Sequence, residues 1–453
     1  MNHPYPSPRY AWYVVGVLML AYISSYVDRQ ILSLLVEPLK HDFQLSDTEV
    51  GSLMGLSFVI FYATAGIPIG RLADRSSRRN IIALGVFFWS VMTALCGIAT
   101  SYSQLFMFRV GVGVGEAALT AVAYSLLADY FPKRKLSTAM SVFGVAYAVG
   151  SGLAIIIGAA LIQKLTQAPK YELPFVGAVF AWQSLFFYIG LPGILIAVLL
   201  LTVREPARQG IVLTKGIASI PATFGEVLRY IRANRQTFLA HHLGYALLML
   251  LIYSYGAWIP SLFMRHYGWT TAQIGMQYSL IVIVCTSVGI LVGGRLADMW
   301  RQKNVVDSNL RVMAWQSVAL IPLSLFPLLP TPELALAALV PIYFCLGLSG
   351  GLGSAAIQEM TPNRFRATAS AIYLFVNSLI SIALGPLLPA LLTDKIFADP
   401  TKLHYALVIT GLLASAGAAS LFWYGLRPYR ATLDYLERYL AVPVDKVPVT
   451  EQG

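Results

Sequence analysis

The segment Arg109-Val-Gly-Val-Gly-Val-Gly-Glu116 lies inside an apolar run over about residues 105–127. Its cation and carboxylate are seven residues apart, about two helical turns, so both side chains point the same way on an α-helix. Gly111 and Gly115 leave one face bare, which lets another helix approach closely. An ionised group deep in a membrane span costs roughly 2.5–3.5 kcal/mol, so such groups usually face a cavity or a partner. The segment therefore predicts a proton or substrate site. The alternative is a packing motif in which Arg109 reaches to the membrane surface.

The composition places this segment in a membrane protein. The chain has 453 residues, of which 57% are hydrophobic and only 12% are charged, and its mean hydropathy is +0.68. Soluble domains carry about 25% charged residues, and a membrane span needs about 20 apolar residues. Many such runs are present, which predicts an all-α membrane protein. The three cysteines fall in apolar runs and form neither a disulfide framework nor a metal-binding spacing.

We predict twelve spans in two sets of six. The spans begin near Ala11, Glu49, Asn80, Gln104, Leu136, Ala181, Gln236, Ala272, Leu310, Glu333, Arg364 and His404. The expected domains are an N-terminal six-helix bundle (1–203), a basic linker with a short surface helix (204–235), a C-terminal six-helix bundle (236–427) and a tail (428–453).

The positive charges indicate how the chain crosses the membrane. Of the 32 Lys and Arg residues, 24 fall on the side of the termini and the linker, and 6 fall on the other side. The remaining two, Arg29 and Arg109, lie inside spans. Because an excess of Lys and Arg marks cytoplasmic loops, both termini and the linker are expected in the cytoplasm. The net charge of +11 is explained by this topology, so no nucleic-acid partner is expected.

Two strings recur in the same order in both halves of the chain. GRLAD at 70–74 returns at 294–298, and DYFPKR at 129–134 aligns with EMTPNR at 359–364. The offsets, 224 and 230 residues, agree within a small loop insertion. Two similar six-span halves are typical of transporters that rock one bundle against the other.

The first copy of the repeat predicts a gate at the cytoplasmic end. Asp74 is expected against the positive N-terminal end of the span near Arg364, and Arg75 is expected to pair with Asp129. The second copy has Met299 in place of Arg75, so its contact should be weaker, with Glu359 as the candidate partner. The predicted gate residues are Gly70, Asp74, Arg75, Arg78, Arg79, Asp129, Arg295, Asp298 and Glu359.

Charged and aromatic side chains predict a central cavity. Asp28 and Arg29 are adjacent in the first span, about 100° apart on a helix, and both cannot face lipid at low cost. Asp28 is expected to face the cavity opposite Arg109 and Glu116, and the alternative is a contact with Arg29 that only fixes helix packing. The second half has no charge near mid-membrane but several tyrosines. The candidate cavity residues are Arg29, Tyr245, Tyr253, Tyr343 and Asn377.

The loop GRLADRSSRR at 70–79 resembles the cytoplasmic signature of the major facilitator superfamily, with Ser77 where that pattern usually has glycine. Within the superfamily the chain is similar to the Spinster-like lipid transporters. The matching strings are YVDRQ (26–30), LSDTEVG (45–51), LADRSSRR (72–79) and RVGVGVGEAA (109–118), mainly in the N-terminal half. The resemblance implies the major facilitator fold, with two pseudo-symmetric six-helix bundles, and proton-linked movement of sphingolipids or lysolipids. It places Asp28, Arg109 and Glu116 at proton-coupling positions.

Two patterns are not expected to carry chemistry. GLGSAA at 351–356 fits a relaxed dinucleotide motif, but it lies in an apolar helix with no preceding strand. His241 and His242 are adjacent, so their rings should diverge, and a helix-end cap or an interfacial pair is expected. No histidine matches the depth of a Ser or Cys nucleophile, so an enzyme is not predicted.

The sequence thus predicts a proton-coupled secondary transporter of an amphipathic lipid, of lysolipid or sphingoid type, that works by alternating access. Two alternatives stay open: a proton-linked carrier of drugs or small organic anions, and a membrane sensor without flux. No cofactor is expected besides protons as the coupling ion. The expected partners are the substrate and membrane lipids, and the protein is expected to be a monomer in the bacterial inner membrane.

Overall fold

The computed structural model describes residues 6–165, 170–173, 177–206, 224–362 and 365–441. Within these ranges twelve helical segments are long and apolar enough to cross a membrane, which confirms the predicted number of spans. A two-stranded antiparallel hairpin, β1 (Lys170–Leu173) and β2 (Gly177–Phe180), accompanies the helices. Large apolar side chains such as Leu84, Leu195 and Leu291 are exposed on the outside, as expected where a span is surrounded by lipid.

The first six spans and their connections form nine helices. These are α1 (Pro8–Gln30), α2 (Val36–Phe43), α3 (Asp47–Met54), α4 (Leu56–Arg75), α5 (Arg78–Cys96), α6 (Tyr102–Glu116), α7 (Thr120–Tyr130), α8 (Lys133–Leu165) and α9 (Ala181–Leu200). A short helix α10 (Phe224–Ala233) follows in the linker. The second six spans contain α11 (Arg235–Tyr267), α12 (Thr271–Gln302), α13 (Ser308–Leu323), α14 (Pro332–Leu348), α15 (Leu352–Met360), α16 (Arg366–Leu391) and α17 (Leu403–Ala441).

Each half of the chain packs as a bundle of its own. In the first bundle α1 packs against α8 and α9, and α5 packs against α6 and α9. In the second bundle α11 packs against α16 and α17, and α12 packs against α14. This is the arrangement of two six-helix bundles that the sequence predicts.

Both bundles contain a span that is interrupted at an equivalent place. The fourth span breaks at 117–119, between α6 and α7, and the tenth breaks at 349–351, between α14 and α15. The residues before the two breaks, Glu116 and Leu348, are 232 positions apart, close to the repeat offset of 230. A helix end leaves backbone groups without intrahelical partners, so polar side chains gather there. In the first bundle the residue at this end is Glu116.

Among the described residues, the close contacts between the two bundles lie towards one end. We call the end that holds Pro8 and α10 the linker face, and the opposite end, with the β1–β2 hairpin, the hairpin face. Near the hairpin face, a Cβ added to Gly55 would meet the backbone of Ile382 and Ala383 in the other bundle. Nearer the linker face, a Cβ added to Gly66, in the same span, would meet nothing within 4 Å.

Hydrogen bonds between the bundles have the same distribution. The described side chains that bond across the bundle boundary all lie in the hairpin-face half: Gln30, Asp47, Glu37, Arg265, Thr393 and Asp394. In the part of the chain that the structure describes, the bundles are therefore joined at the hairpin face and apart towards the linker face. We call this the linker-open conformation.

Candidate functional site

An ion pair between Arg29 on α1 and Glu116 at the end of α6 lies at the centre of the first bundle. Arg29 Nε and Nη2 lie 2.6 and 2.5 Å from Glu116 Oε2. Ser25 Oγ, one turn earlier on α1, donates to the same oxygen at 2.5 Å. The second oxygen, Oε1, is buried and has no hydrogen-bond partner among the described residues. Within the described part of the chain, the lone pairs of Oε1 thus accept no hydrogen bond.

Three aromatic rings surround the Arg29 guanidinium. Its Cζ atom lies 4.3 Å from the ring centroid of Phe58, 5.0 Å from Tyr26 and 5.2 Å from Tyr62. A cation over a ring gains about 0.5–1 kcal/mol at exposed sites, and about 2 kcal/mol when it is desolvated. The rings and Glu116 together hold the Arg29 side chain, 13% exposed, in a place where a lone cation would be costly.

Arg29 also forms part of the wall of a cavity between the two bundles, whose space of about 720 Å³ includes the open solvent at its mouth. Its polar lining residues are Tyr26, Arg29, Gln30, Ser33, Tyr147, Ser151, Tyr253, Tyr278 and Tyr343. Its larger apolar lining residues are Met54, Phe58, Ile155, Ile252, Val282, Ile382 and Pro386. Among the described lining residues, Arg29 alone carries a charge at neutral pH. Such a cavity can hold an anionic group beside Arg29 and an apolar chain against the opposite wall.

Three of the five predicted cavity residues line this cavity: Arg29, Tyr253 and Tyr343. Tyr245 does not, because its ring is buried within the second bundle at 5.3 Å from the ring of Tyr373. Asn377 is not among the lining residues either. A tyrosine or an asparagine in a span can face its own bundle as easily as the central cavity, and the sequence alone does not distinguish the two.

Asp28 and Arg109 lie in the interior of the first bundle rather than on the cavity wall. They are 1% and 0% exposed. Arg109 Nη1 donates to the backbone carbonyl oxygen of Asp28 at 3.1 Å, close to the point where α1 passes into a 3₁₀ segment, Ile31–Leu34. The carboxylate oxygens of Asp28 have no hydrogen-bond partner among the described residues. Arg109 thus bonds a carbonyl in the last turn of a broken helix, and the expectation that Asp28 faces the cavity is corrected.

The gate residues of the first repeat copy form an ion-pair cluster at the linker face. Arg78 Nη1 lies 2.5 Å from Asp129 Oδ2, and Arg78 Nε lies 2.8 Å from Glu205 Oε1. Arg79 donates to the backbone carbonyl of Val203 at 3.2 Å, and Gly70 is half-buried. The contacts predicted for the side chains of Asp74 and Arg75, and for Arg364, lie outside the described part of the chain.

The gate residues of the second copy behave differently. Glu359 accepts hydrogen bonds from Asn309 at 2.9 Å and from Tyr429 at 2.8 Å, and its cation is Arg301 at 2.6 Å. Arg295 and Asp298 are exposed. Glu359 therefore binds a cation just after the repeated string rather than one within it.

The adjacent histidines differ from expectation. His241 is 0% and His242 6% exposed, and their Nδ1 atoms lie 3.3 Å apart, so the rings do not diverge and the pair is not interfacial. His241 Nε2 lies 2.9 Å from the carbonyl oxygen of Gly353 at the start of α15. Since a carbonyl only accepts, His241 carries its proton on Nε2, and it ties α11 to the interrupted tenth span.

Sequence reasoning missed Ser25 as a partner of Glu116, and Tyr26 and Phe58 as partners of Arg29. Ser25 and Tyr26 precede Arg29 by four and three residues, the spacing that places side chains on one helix face. That signal was available. Phe58 comes from α4, and no local pattern connects it with Arg29.

Comparison with known proteins agrees with this architecture. Residues 18–386 match the family model described as Major Facilitator Superfamily. An MFS-type efflux pump of Mycolicibacterium smegmatis is 30% identical over 430 residues, 93% of this chain and 94% of the relative. A probable L-galactonate transporter of Escherichia coli is 25% identical over 91% of this chain and 88% of the relative. The sphingosine-1-phosphate transporter SPNS2 of Danio rerio is 24% identical over 84% of this chain and 76% of the relative.

A solved structure shares the fold over nearly its whole length. It is the bacterial homolog of the human lysosomal transporter Spinster in an inward-facing and unoccupied conformation. The TM-score is 0.80 and the sequence identity 27%, and the match covers 94% of this chain and 99% of the other.

Proposed function

Since the chain belongs to the major facilitator superfamily, a family of transporters and not of enzymes, we propose that it is a proton-coupled secondary transporter of an amphipathic anion of lysolipid or sphingoid type. The proposal rests on one observation above all: Arg29 touches both the cavity and the carboxylate of Glu116. The residue that would accept the proton, Glu116, and the cation that would bind the substrate, Arg29, are thus the two members of one ion pair.

The ion pair can couple the two ligands by competition for Arg29. While Glu116 is ionised, its carboxylate occupies Nε and Nη2 of Arg29. Protonation of Glu116 at Oε1 removes that charge, so the guanidinium becomes available to an anionic group in the cavity. A proton on Glu116 and an anion on Arg29 therefore favour each other's binding, and this reciprocity is the coupling free energy. Asp28 is a second buried carboxyl beside this pair.

The shape of the cavity supports an amphipathic substrate. Its charge sits on one wall, at Arg29, while Ile252, Val282 and Ile382 contribute to an apolar wall. A small dicarboxylate would leave that apolar wall in contact with water, whereas an acyl or sphingoid chain would cover it, at about 25 cal/mol per Å² of apolar surface.

The driving force available is of the right size. One proton that moves down a gradient of one pH unit supplies about 1.4 kcal/mol. A membrane potential of 100 mV adds about 2.3 kcal/mol per charge moved. These amounts change a two-state equilibrium by roughly one to three orders of magnitude.

The second candidate function is a proton-linked carrier of drugs or small organic anions. The 30% identical efflux pump and the 25% identical probable L-galactonate transporter favour it. The five tyrosines that line the cavity would suit hydroxylated or aromatic anions. A sensor that binds ligand without flux is a candidate of a different class, and flux measurements separate it from both carriers.

The test is transport in proteoliposomes with a pH-sensitive dye inside. Lysolipids and sphingoid phosphates should change the internal pH and compete with one another, while aromatic and sugar-acid anions should not compete. Glu116→Gln should bind lysolipid without pH dependence and move no protons, while Ser25→Ala, which keeps the ion pair, should retain coupling. Lysolipid flux without any proton movement in the wild-type protein would contradict the coupling. Flux of organic anions alone would favour the second candidate.

We also propose that the linker face is cytoplasmic and that the protein acts as a monomer in the bacterial inner membrane. The distribution of Lys and Arg, 24 at the linker face against 6 at the other, supports this orientation because positive loops stay in the cytoplasm. On that orientation the linker-open conformation presents its cavity to the cytoplasm.

A further inference from the structure

We infer that a cluster of Glu37, Lys40 and Arg265 around the buried Asp47 at the hairpin face is a latch that holds the two bundles in the linker-open conformation. Glu37 and Lys40 lie on α2, and Asp47 begins α3, so these three belong to the first bundle. Arg265 lies in the last turn of α11, in the second bundle. This inference rests on the rocking movement of the proposed function, but neither on its coupling ion nor on its substrate.

Arg265 uses its whole guanidinium to bridge the bundles. Nη1 lies 2.8 Å from Asp47 Oδ2, and Nη2 lies 2.9 Å from Asp47 Oδ1. Nε lies 2.6 Å from Glu37 Oε1. The side chains of Arg265 and Asp47 are 10% and 0% exposed. A bidentate, largely buried pair of this kind is among the stronger charge-assisted contacts in proteins and fixes one geometry.

Asp47 is held from several sides. Lys40 Nζ lies 2.5 Å from its Oδ1, and Thr393 Oγ1, from the other bundle, donates to its Oδ2 at 3.1 Å. A second bond crosses beside it, since the backbone N–H of Thr48 donates to Asp394 Oδ2 at 2.5 Å. Asp394 thus lies at the N-terminal end of α3, where a negative charge is favourable.

The division of charges between the bundles makes this cluster a latch rather than a support for folding. When the hairpin face opens, Lys40 stays with Asp47, because both belong to the first bundle. Arg265 must leave Asp47 and Glu37 and be hydrated again. The loss therefore falls on the opening step: the first bundle keeps the Lys40–Asp47 ion pair, while Arg265 and Glu37 exchange each other for water. At the linker face, no ion pair between the bundles joins side chains that the structure describes.

The test compares two arginine variants by distance measurement. Spin labels are placed at Ser103 and Glu333, which are exposed at the hairpin face of the first and second bundles, after replacement of the three cysteines. Arg265→Met should raise the ratio of hairpin-open to linker-open molecules at least tenfold, equivalent to about 1.4 kcal/mol. The matched control is Arg430→Met, which removes an arginine 2.7 Å from Asp307 inside the second bundle and should leave the ratio unchanged.

A second variant keeps the inference testable if Arg265→Met does not fold. Asp394→Asn weakens the other bond across the hairpin face and should shift the ratio in the same direction by a smaller factor. Unchanged distances in both Arg265→Met and Asp394→Asn would overturn the latch, as would an equal shift in Arg430→Met. A wild-type protein that never opens at the hairpin face, with or without substrate and across pH, would contradict the proposed function instead.

Discussion

At the scale of single residues, Arg109 is a buried cation that donates a hydrogen bond to a backbone carbonyl at a helix end. Its Nη1 bonds the carbonyl of Asp28 near the end of α1, while its Nε and Nη2 have no partner among the described residues. The residue is fully buried, so it holds the helix end and compensates the carboxylates nearby. The spacing of Arg109 and Glu116 on α6 predicted that Arg109 faces a functional site. Only the tertiary structure shows that Arg109 bonds the end of α1.

We expect Arg109→Met to destabilise the protein by about 3–5 kcal/mol, because removal of one partner leaves buried charge uncompensated. Arg109→Lys keeps the charge and should lose less. The measurement is denaturant unfolding in detergent micelles at neutral pH, with Arg430→Met as the exposed reference. A Met variant as stable as the Lys variant would show that charge compensation is not the role of Arg109.

Asp307, in the loop before α13, offers a pH-dependent contact at the linker face. Burial raises the pKa of Asp307, but hydrogen bonds from Arg311 and Arg430 lower it by more, so the pKa lies below its ordinary value. The folded state therefore favours the ionised form. The stabilisation is fully present above the unfolded pKa of about 3.9 and is lost as the pH falls through the lower folded value.

Asp307→Asn should accordingly lower the melting temperature by a few degrees at pH 7. The difference between the wild type and the variant should shrink as the pH is lowered below about 4. Differential scanning fluorimetry from pH 7 to pH 3 measures it. A difference that stays constant over that range would mean that the carboxylate charge is not what stabilises the loop.

At the scale of helices, two glycines of the second span have different neighbours: Gly55, between α3 and α4, and Gly66, within α4. Gly55 lies against the backbone of Ile382 and Ala383 on α16, whereas nothing lies within 4 Å of a Cβ added to Gly66. The α4–α16 contact near the hairpin face therefore requires glycine at one position and not at the other in this conformation.

Gly55→Ala should cost about 1–3 kcal/mol through overpacking, and it should weaken the closed hairpin face. Gly66→Ala should leave the stability of the linker-open conformation unchanged, or raise it by about 0.5–1 kcal/mol through helix propensity. Thermal unfolding of the two variants side by side gives the comparison. Equal effects would mean that the close approach of α4 and α16 does not govern stability.

The helices also show what the sequence allowed and what it did not. Apolar run length and the repeated strings were enough for twelve spans in two halves, because lipid forces every backbone group into a regular helix. The interruptions at 117–119 and 349–351 were not predicted, since the residues there are apolar or small and do not break the hydrophobic run. The partner of Glu116 was not predicted either, because Arg29 comes from a helix 87 positions away.

At the scale of the whole molecule, the orientation proposed from the charges predicts where each end lies. Green fluorescent protein fused after Gly453 should be fluorescent, because it folds in the cytoplasm. Alkaline phosphatase fused after Pro330, in the loop between α13 and α14, should be active, because that loop lies at the hairpin face. The opposite pattern, in cells that express both fusions to the same level, would reverse the orientation.

The aromatic rings around Arg29 bear on how fast protons leak through the protein when no substrate is bound. Three rings lie around the guanidinium, and the guanidinium in turn covers the buried carboxylate of Glu116, so solvent in the cavity meets aromatic rings and the arginine before it meets this carboxylate. We therefore expect proton transfer between solvent and the carboxylate to be slow until a bound substrate displaces the arginine side chain. In the absence of substrate, a membrane that contains the protein should therefore keep its pH gradient, because the protein leaks few protons.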